Sequence, residues 1–266
     1  MTITLAFEAT GHGEPLLILH GLFGSGGNWR GVARELATHN RVYCVDLRNH
    51  GASPWADSMG YLEMADDVKR LIDREGLRRP AVIGHSMGGK TAMALALMYP
   101  ESIGALVAVD IAPVSYADRL SPYVEAMRSI GTFAVASRAE AQRRLAATVS
   151  DAGIAAFLMT NLVARNEHFD WRLNLTTIGA SMSVLCDFPS QLAGLRFKRA
   201  MTAIVGGRSD YVKPPDKSLF EPLFSKVVVD EIVDAGHWLH AEQPTQFLAA
   251  ARRALARTSP RAAMAA

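Results

Sequence analysis

The stretch VIGHSMGGK, residues 82–90, holds one polar Ser86 between Gly84 and Gly88, directly after apolar Val82 and Ile83. A flexible linker would not follow so apolar a run. The G-x-G-x-x-G of a dinucleotide-binding turn is absent. The remaining reading is a nucleophile on a sharp strand-to-helix turn, G-x-S-x-G. Small residues two before and two after the serine leave room for a strained backbone. Ser86 would then open a helix whose N–H groups and dipole favour an anion. The bland alternative is a glycine-rich turn with an incidental serine. A base and an acid elsewhere in the chain decide between the two.

Outward from this stretch, apolar runs stand at 3–9, 16–21, 41–47, 80–85, 105–112, 200–207 and 226–233. Most are continuous rather than alternating, which suits strands buried on both faces of a parallel sheet. Helical patterns separate them. In 61–76, Leu62, Ala65, Val68 and Ile72 share one face, and Gly76 offers a stop. Residues 87–99 are rich in helix formers and end at Pro100. Alternating strands and helices predict a doubly wound α/β sheet. Between Pro113 and Arg199 the patterns are helical without strands. SRAE at 137–140 is a capping box, and Ile154, Leu158 and Leu162 recur at helical spacing. This stretch reads as a helical cap inserted between the sixth and seventh strands. The expected division is a core of 1–113 and 199–258, a cap of 114–198, and a disordered tail of 259–266.

The chain has 266 residues and a net charge of +2. That length is enough for one α/β domain with an insertion, and the weak charge without a basic stripe argues against nucleic-acid binding. Cys44 and Cys186 are the only cysteines, too few for a disulfide framework. No apolar stretch reaches the ~18 residues of a membrane span. No secretory signal is visible, so a cytoplasmic location is expected. A homo-oligomer is compatible with the sequence.

Ser86 needs a base, because a serine hydroxyl alone is a weak nucleophile. Of the eight histidines, His237 in VDAGHWLHAEQP follows the last strand and precedes a helix opening at Pro244. His240 follows three residues later, but no carboxylate or cysteine is spaced to complete a metal site. Two acids lie between Ser86 and His237 at strand ends: Asp110 in VAVDIAPV and Asp210 in VGGRSDYV. Either could hold the imidazole tautomer. The oxyanion is expected to rest on the N–H of Met87 and on that of Leu22 in HGLFGSGGNW, with Phe23 as the alternative donor. Phe23 and Trp171 are the expected substrate contacts, and Met127, Phe133, Phe157, Met159 and Leu162 are available to line an apolar acyl cleft.

Taken in order, HGLFGSGGNW, VDLRNHGASP, IGHSMGGKTAMALA, VDIAPV, GGRSDYV and AGHWLHAEQP resemble the α/β-hydrolase superfamily. Within it they are most similar to the YbfF-type esterases and the abhydrolase-domain protein 11 group. The likeness covers residues 3 to 256 and is weakest across the cap. It implies a mostly parallel eight-stranded sheet with a small helical cap. It implies Ser86 as nucleophile, His237 as base, and esterase or thioesterase activity without a cofactor. Asn49 replaces the glycine of the wider superfamily's D-x-R-G-H-G, as in this subgroup. The subgroup's pattern points to Asp110 as the acid, and the wider superfamily's to Asp210. We expect Asp210, with Asp110 as the alternative. The function expected is a carboxylesterase-type serine hydrolase acting on small-molecule esters of short to medium acyl chains. The rivals are a thioesterase, a cofactor-free haloperoxidase, a C–C bond hydrolase or a non-catalytic binding module.

Overall fold

A computed structural model describes residues 3–132, 135–166, 168–213 and 216–257. Phe133 and the expected tail 259–266 lie outside the described residues. In chain order the strands are β1 (Phe7–Thr10), β2 (Glu14–Leu19), β3 (Asn40–Val45), β4 (Ala81–His85), β5 (Ala105–Val109), β6 (Leu162–Arg165), β7 (His168–Trp171), β8 (Phe197–Gly206) and β9 (Phe224–Ile232). All but β6 and β7 join one sheet of order β1-β3-β2-β4-β5-β8-β9. Only β1 runs antiparallel, against β3.

The described residues form a seven-stranded sheet, not the eight expected. The seven apolar runs of the sequence are its seven strands. Ahead of β1 one backbone bond to the β3 side persists, the Asp46 N–H donating to the Ala6 carbonyl at 2.9 Å, but the Ala6 N–H turns instead to the Ser53 hydroxyl at 2.8 Å, where the ladder ends. The continuous apolar runs have their predicted cause. Leu16, Leu17, Ile18 and Leu19 of β2 and all of β5 are buried, because helices cover both faces. α1 (Arg30–Leu36) and α9 (Pro244–Ala256) pack on one face, and α2 (Tyr61–Arg74) and α3 (Met87–Met98) on the other. Each such aliphatic side chain contributes about 1.5–3 kcal/mol on burial.

The insertion between β5 and β8 carries α4 (Ser121–Ser129), α5 (Arg138–Ala146), α6 (Ala152–Met159), α7 (Leu175–Ala180) and α8 (Met182–Cys186). It also carries the antiparallel pair β6–β7, so the expectation of a cap without strands is corrected. Leu162 does not continue α6. The Thr160 hydroxyl donates to the Phe157 carbonyl at 2.6 Å, and the Asn161 amide to the Leu158 carbonyl at 3.3 Å. These side chains take carbonyls of the helix's last turns. Asn166 then adopts φ 48°, a left-handed turn that asparagine tolerates. No helix among the described residues is long and apolar enough to cross a membrane.

Candidate active site

Ser86 stands between β4 and α3 with φ 51° and ψ −117°. A non-glycine residue held there costs on the order of 1–3 kcal/mol and marks a site where the surroundings enforce the geometry. The two glycines are what permit the turn. A Cβ on Gly84 would lie 2.2 Å from the Gly88 carbonyl oxygen, and one on Gly88 would lie 2.4 Å from that of Leu19. The Ser86 N–H donates to the Val109 carbonyl at 3.0 Å, which fixes the turn to the end of β5.

The carboxylate that meets His237 is Asp110. Its Oδ2 lies 2.6 Å from His237 Nδ1. Asp110 is fully buried and itself sits at φ 50°. Its Oδ1 accepts the Gly206 N–H at 3.1 Å, and its Oδ2 also accepts the Ser209 hydroxyl. The expectation of Asp210 is therefore corrected. Beyond β8 the chain turns tightly, with the Ser209 N–H on the Gly206 carbonyl at 3.0 Å. That turn delivers Ser209 to Asp110 and throws Asp210 outward. Asp210 is 84% exposed and faces Arg119 at 3.6 Å. Tyr211 then stacks on the His237 ring, with centroids 4.0 Å apart and planes 18° apart.

Ser86 and His237 line the same cavity, of about 230 Å³, between the sheet and the cap. The Ser86 hydroxyl makes no hydrogen bond to His237 within the described residues; such bonds often close only when substrate arrives. Met87 opens α3, so its N–H is among the donors a helix leaves unpaired. Among the described residues the Leu22 N–H likewise has no hydrogen-bond partner, and Leu22 lines the cavity. Phe23, the alternative donor, is not available: its N–H donates to His50 Nε2 at 3.3 Å. Its carbonyl accepts the Asn161 amide of the cap at 2.8 Å. Phe23 is thus held at φ 63° from both sides, by a core histidine and by a buried cap asparagine.

Phe23 lines the cavity, as do Phe157 and Trp29. Trp171 does not, which corrects its expected role: it is buried within the cap, its indole N–H donating to the Met127 carbonyl at 3.1 Å. Met127, Met159 and Leu162 are buried in the cap as well. His240 stacks on Trp29, with ring centroids 4.0 Å apart, and lines the same cavity.

The sequence reading missed the buried supports. His20 and His50 each face two backbone groups. His20 Nδ1 donates to the Gly21 carbonyl at 2.8 Å and Nε2 accepts the Leu47 N–H at 3.0 Å. His50 Nδ1 donates to the Arg48 carbonyl at 2.9 Å while Nε2 accepts from Phe23. Both rings must be neutral to satisfy these partners. Burial pushes His20 down to about 4 and His50 down to about 3. Asp46 joins the same two loops, accepting the Gly26 N–H at 2.7 Å and the Ala52 N–H at 2.8 Å. Lys90, one turn into α3, is buried and donates to the carbonyls of Cys186 at 3.1 Å and Asp187 at 2.7 Å. It thereby ties the C-terminus of α8 to the first turn of α3, just past Ser86, and burial pushes it down to about 8. His20 and His50 lie in glycine-bearing loops, a signal that could have marked them. Lys90 and Asn161 carry no local signal.

The chain matches a known family. A model described as the alpha/beta hydrolase fold matches residues 14–167. The chain belongs to the α/β-hydrolase family. It is 36% identical over 249 residues to the sn-1-specific diacylglycerol lipase ABHD11 of Mus musculus, covering 91% of this chain and 80% of that protein. It is 33% identical over 247 residues to esterase YbfF of Escherichia coli strain K12, covering 91% and 93%. Among solved structures, a marine microorganism esterase superposes with a TM-score of 0.91 at 33% identity, covering 95% of this chain and all of that one.

In this α/β hydrolase the neutral histidines under the site make stability pH-dependent, with a definite sign. Their folded values lie below the ~6.5 of an unfolded histidine. As pH falls, the unfolded chain takes up protons first, so stability is full above about 6.5 and is lost toward pH 4 for His20 and toward pH 3 for His50. The expected slope is about 1.4 kcal/mol per histidine per pH unit. Urea titrations at successive pH values between these limits check this. His50→Gln should flatten the dependence by one proton, and an unchanged slope would contradict the assignment.

Proposed function

We propose that the chain is a serine esterase that cleaves small-molecule carboxylic esters through an acyl-enzyme. Ser86 Oγ attacks the ester carbonyl and His237 Nε2 takes its proton. Asp110 holds Nδ1–H and stabilises the imidazolium. The N–H groups of Leu22 and Met87 receive the oxyanion, each such donor being worth about 2.7–4 kcal/mol of barrier. His237 then protonates the departing alcohol, and water, activated by the same imidazole, releases the acid.

The observation that carries this reading is the 2.6 Å hydrogen bond between His237 and the buried Asp110, made beside a serine on a strained turn at a helix N-terminus. The esterase and lipase names of the relatives support ester substrates. A fluorophosphonate tests it. The reagent should add one adduct per chain, and digestion should place it on the peptide containing Ser86. A folded protein that stays unlabelled would overturn the reading.

A further inference from the structure

Two hollows meet at Ser86. The larger, of about 230 Å³, is lined by His237 and by apolar Phe23, Trp29, Ile154, Phe157 and Trp238. The smaller, of about 40 Å³, lies on the Met87 side, with Lys90, Ile111, Met182 and Leu185 in its wall. Ser86 and Leu22 belong to both walls, but His237 lines the larger and Met87 the smaller. We propose, resting on the serine-esterase reading, that the small hollow takes the acyl group and the large one the alcohol. The substrate class is then short-acyl esters of bulky apolar alcohols.

The chemistry assigns the sides. Ser86 Oγ bonds the acyl carbon as its proton passes to His237 Nε2. The C–O bond to the alcohol breaks, and the electron pair left on that oxygen recovers the proton from Nε2. The departing oxygen must therefore come within about 2.6–3.2 Å of His237, which lines the large hollow. The oxyanion points to the Leu22 and Met87 N–H groups. The one remaining substituent, the acyl chain, is left with the side away from His237.

Size then sets the class. A water-sized sphere needs about 10–15 Å³, so 40 Å³ holds roughly three non-hydrogen atoms, an acetyl to butyryl chain. The large hollow exceeds the ~150 Å³ of an apolar cavity that binds benzene. Lys90 does not offer a free cation to the acyl group, since its Nζ already serves the Cys186 and Asp187 carbonyls. Ile111, Met182 and Leu185 are left to meet an alkyl chain. The apolar cap residues facing the site thus serve the alcohol, not the acyl chain as the sequence suggested.

The test uses two isomers with their ends exchanged, phenethyl acetate and methyl 3-phenylpropanoate, each normalised to its alkaline hydrolysis rate. kcat/KM should favour the acetate by at least about tenfold, the scale on which a site rejects a group that overfills it. Met182→Ala, which widens the small hollow, should shift the ratio toward the phenylpropanoate. Because the ratio is read within one preparation, partial loss of folded protein does not alter it. Equal or reversed preference in an enzyme that fluorophosphonate labels at Ser86 would overturn the partition alone, as would a ratio unmoved by Met182→Ala. No labelling and no hydrolysis of either ester would overturn the esterase reading on which the partition rests.

Discussion

Ser86→Ala should abolish ester hydrolysis, lowering kcat on the order of 10⁶-fold, with the fold intact. The two halves of that expectation have separate grounds. Among the described residues the hydroxyl makes no hydrogen bond, so its loss leaves no buried group there orphaned. Alanine also has the same Cβ at φ 51°, so the turn is no more strained than before. In the proposed mechanism, nothing replaces the oxygen that would form the acyl-enzyme. Any residual rate would reflect the oxyanion donors and binding alone, about 10³–10⁴-fold over water in the comparable serine enzymes. The check is kcat with p-nitrophenyl acetate alongside the urea midpoint. An unchanged midpoint with near-parental kcat would sink the serine mechanism.

Asp110→Asn is expected to cost kcat on the order of 10⁴-fold. The carboxylate accepts from His237 Nδ1, from the Gly206 N–H and from the Ser209 hydroxyl. An amide in its place retains one acceptor oxygen and no charge. It cannot satisfy all three donors, and if its NH₂ faces Nδ1 the imidazole is driven to the wrong tautomer. Some stability is lost as well, because Asp110 is buried. Asp210→Asn removes only an exposed ion pair with Arg119, and such pairs contribute little. Its kcat should stay within about twofold of the parent, as surface changes away from buried networks usually do.

The features of the fold and site that were legible in the sequence are those set by local pattern. The strands are legible because a parallel sheet buries both faces and leaves continuous apolar runs, such as Leu16–Leu19. The elbow is legible because only small residues fit beside Ser86, as the 2.2 Å and 2.4 Å approaches at Gly84 and Gly88 make plain. The choice of acid was not legible. It depends on how many residues the turn after β8 consumes, and that turn ends on Ser209 rather than Asp210. A difference of one residue in a turn reverses which side chain faces inward, and composition does not record it. Contacts between cap and core were hidden for a related reason. Asn161 reaches Phe23 across 138 positions, and Lys90 reaches Asp187 across 97. Neither residue type advertises such a partner. Trp171 misled because a tryptophan in a cap fits either a cleft wall or the cap's own core, and its N–H found Met127.

The claim at the centre is that Ser86, His237 and Asp110 act as one unit. The most direct measurement is kcat for Asp110→Asn and Asp210→Asn side by side, at one pH near neutrality, on protein whose urea midpoints show it folded. If the three residues act as one unit, kcat collapses on the order of 10⁴-fold in Asp110→Asn and stays near-parental in Asp210→Asn. A folded Asp110→Asn enzyme with near-parental kcat, paired with a collapsed Asp210→Asn enzyme, would contradict it.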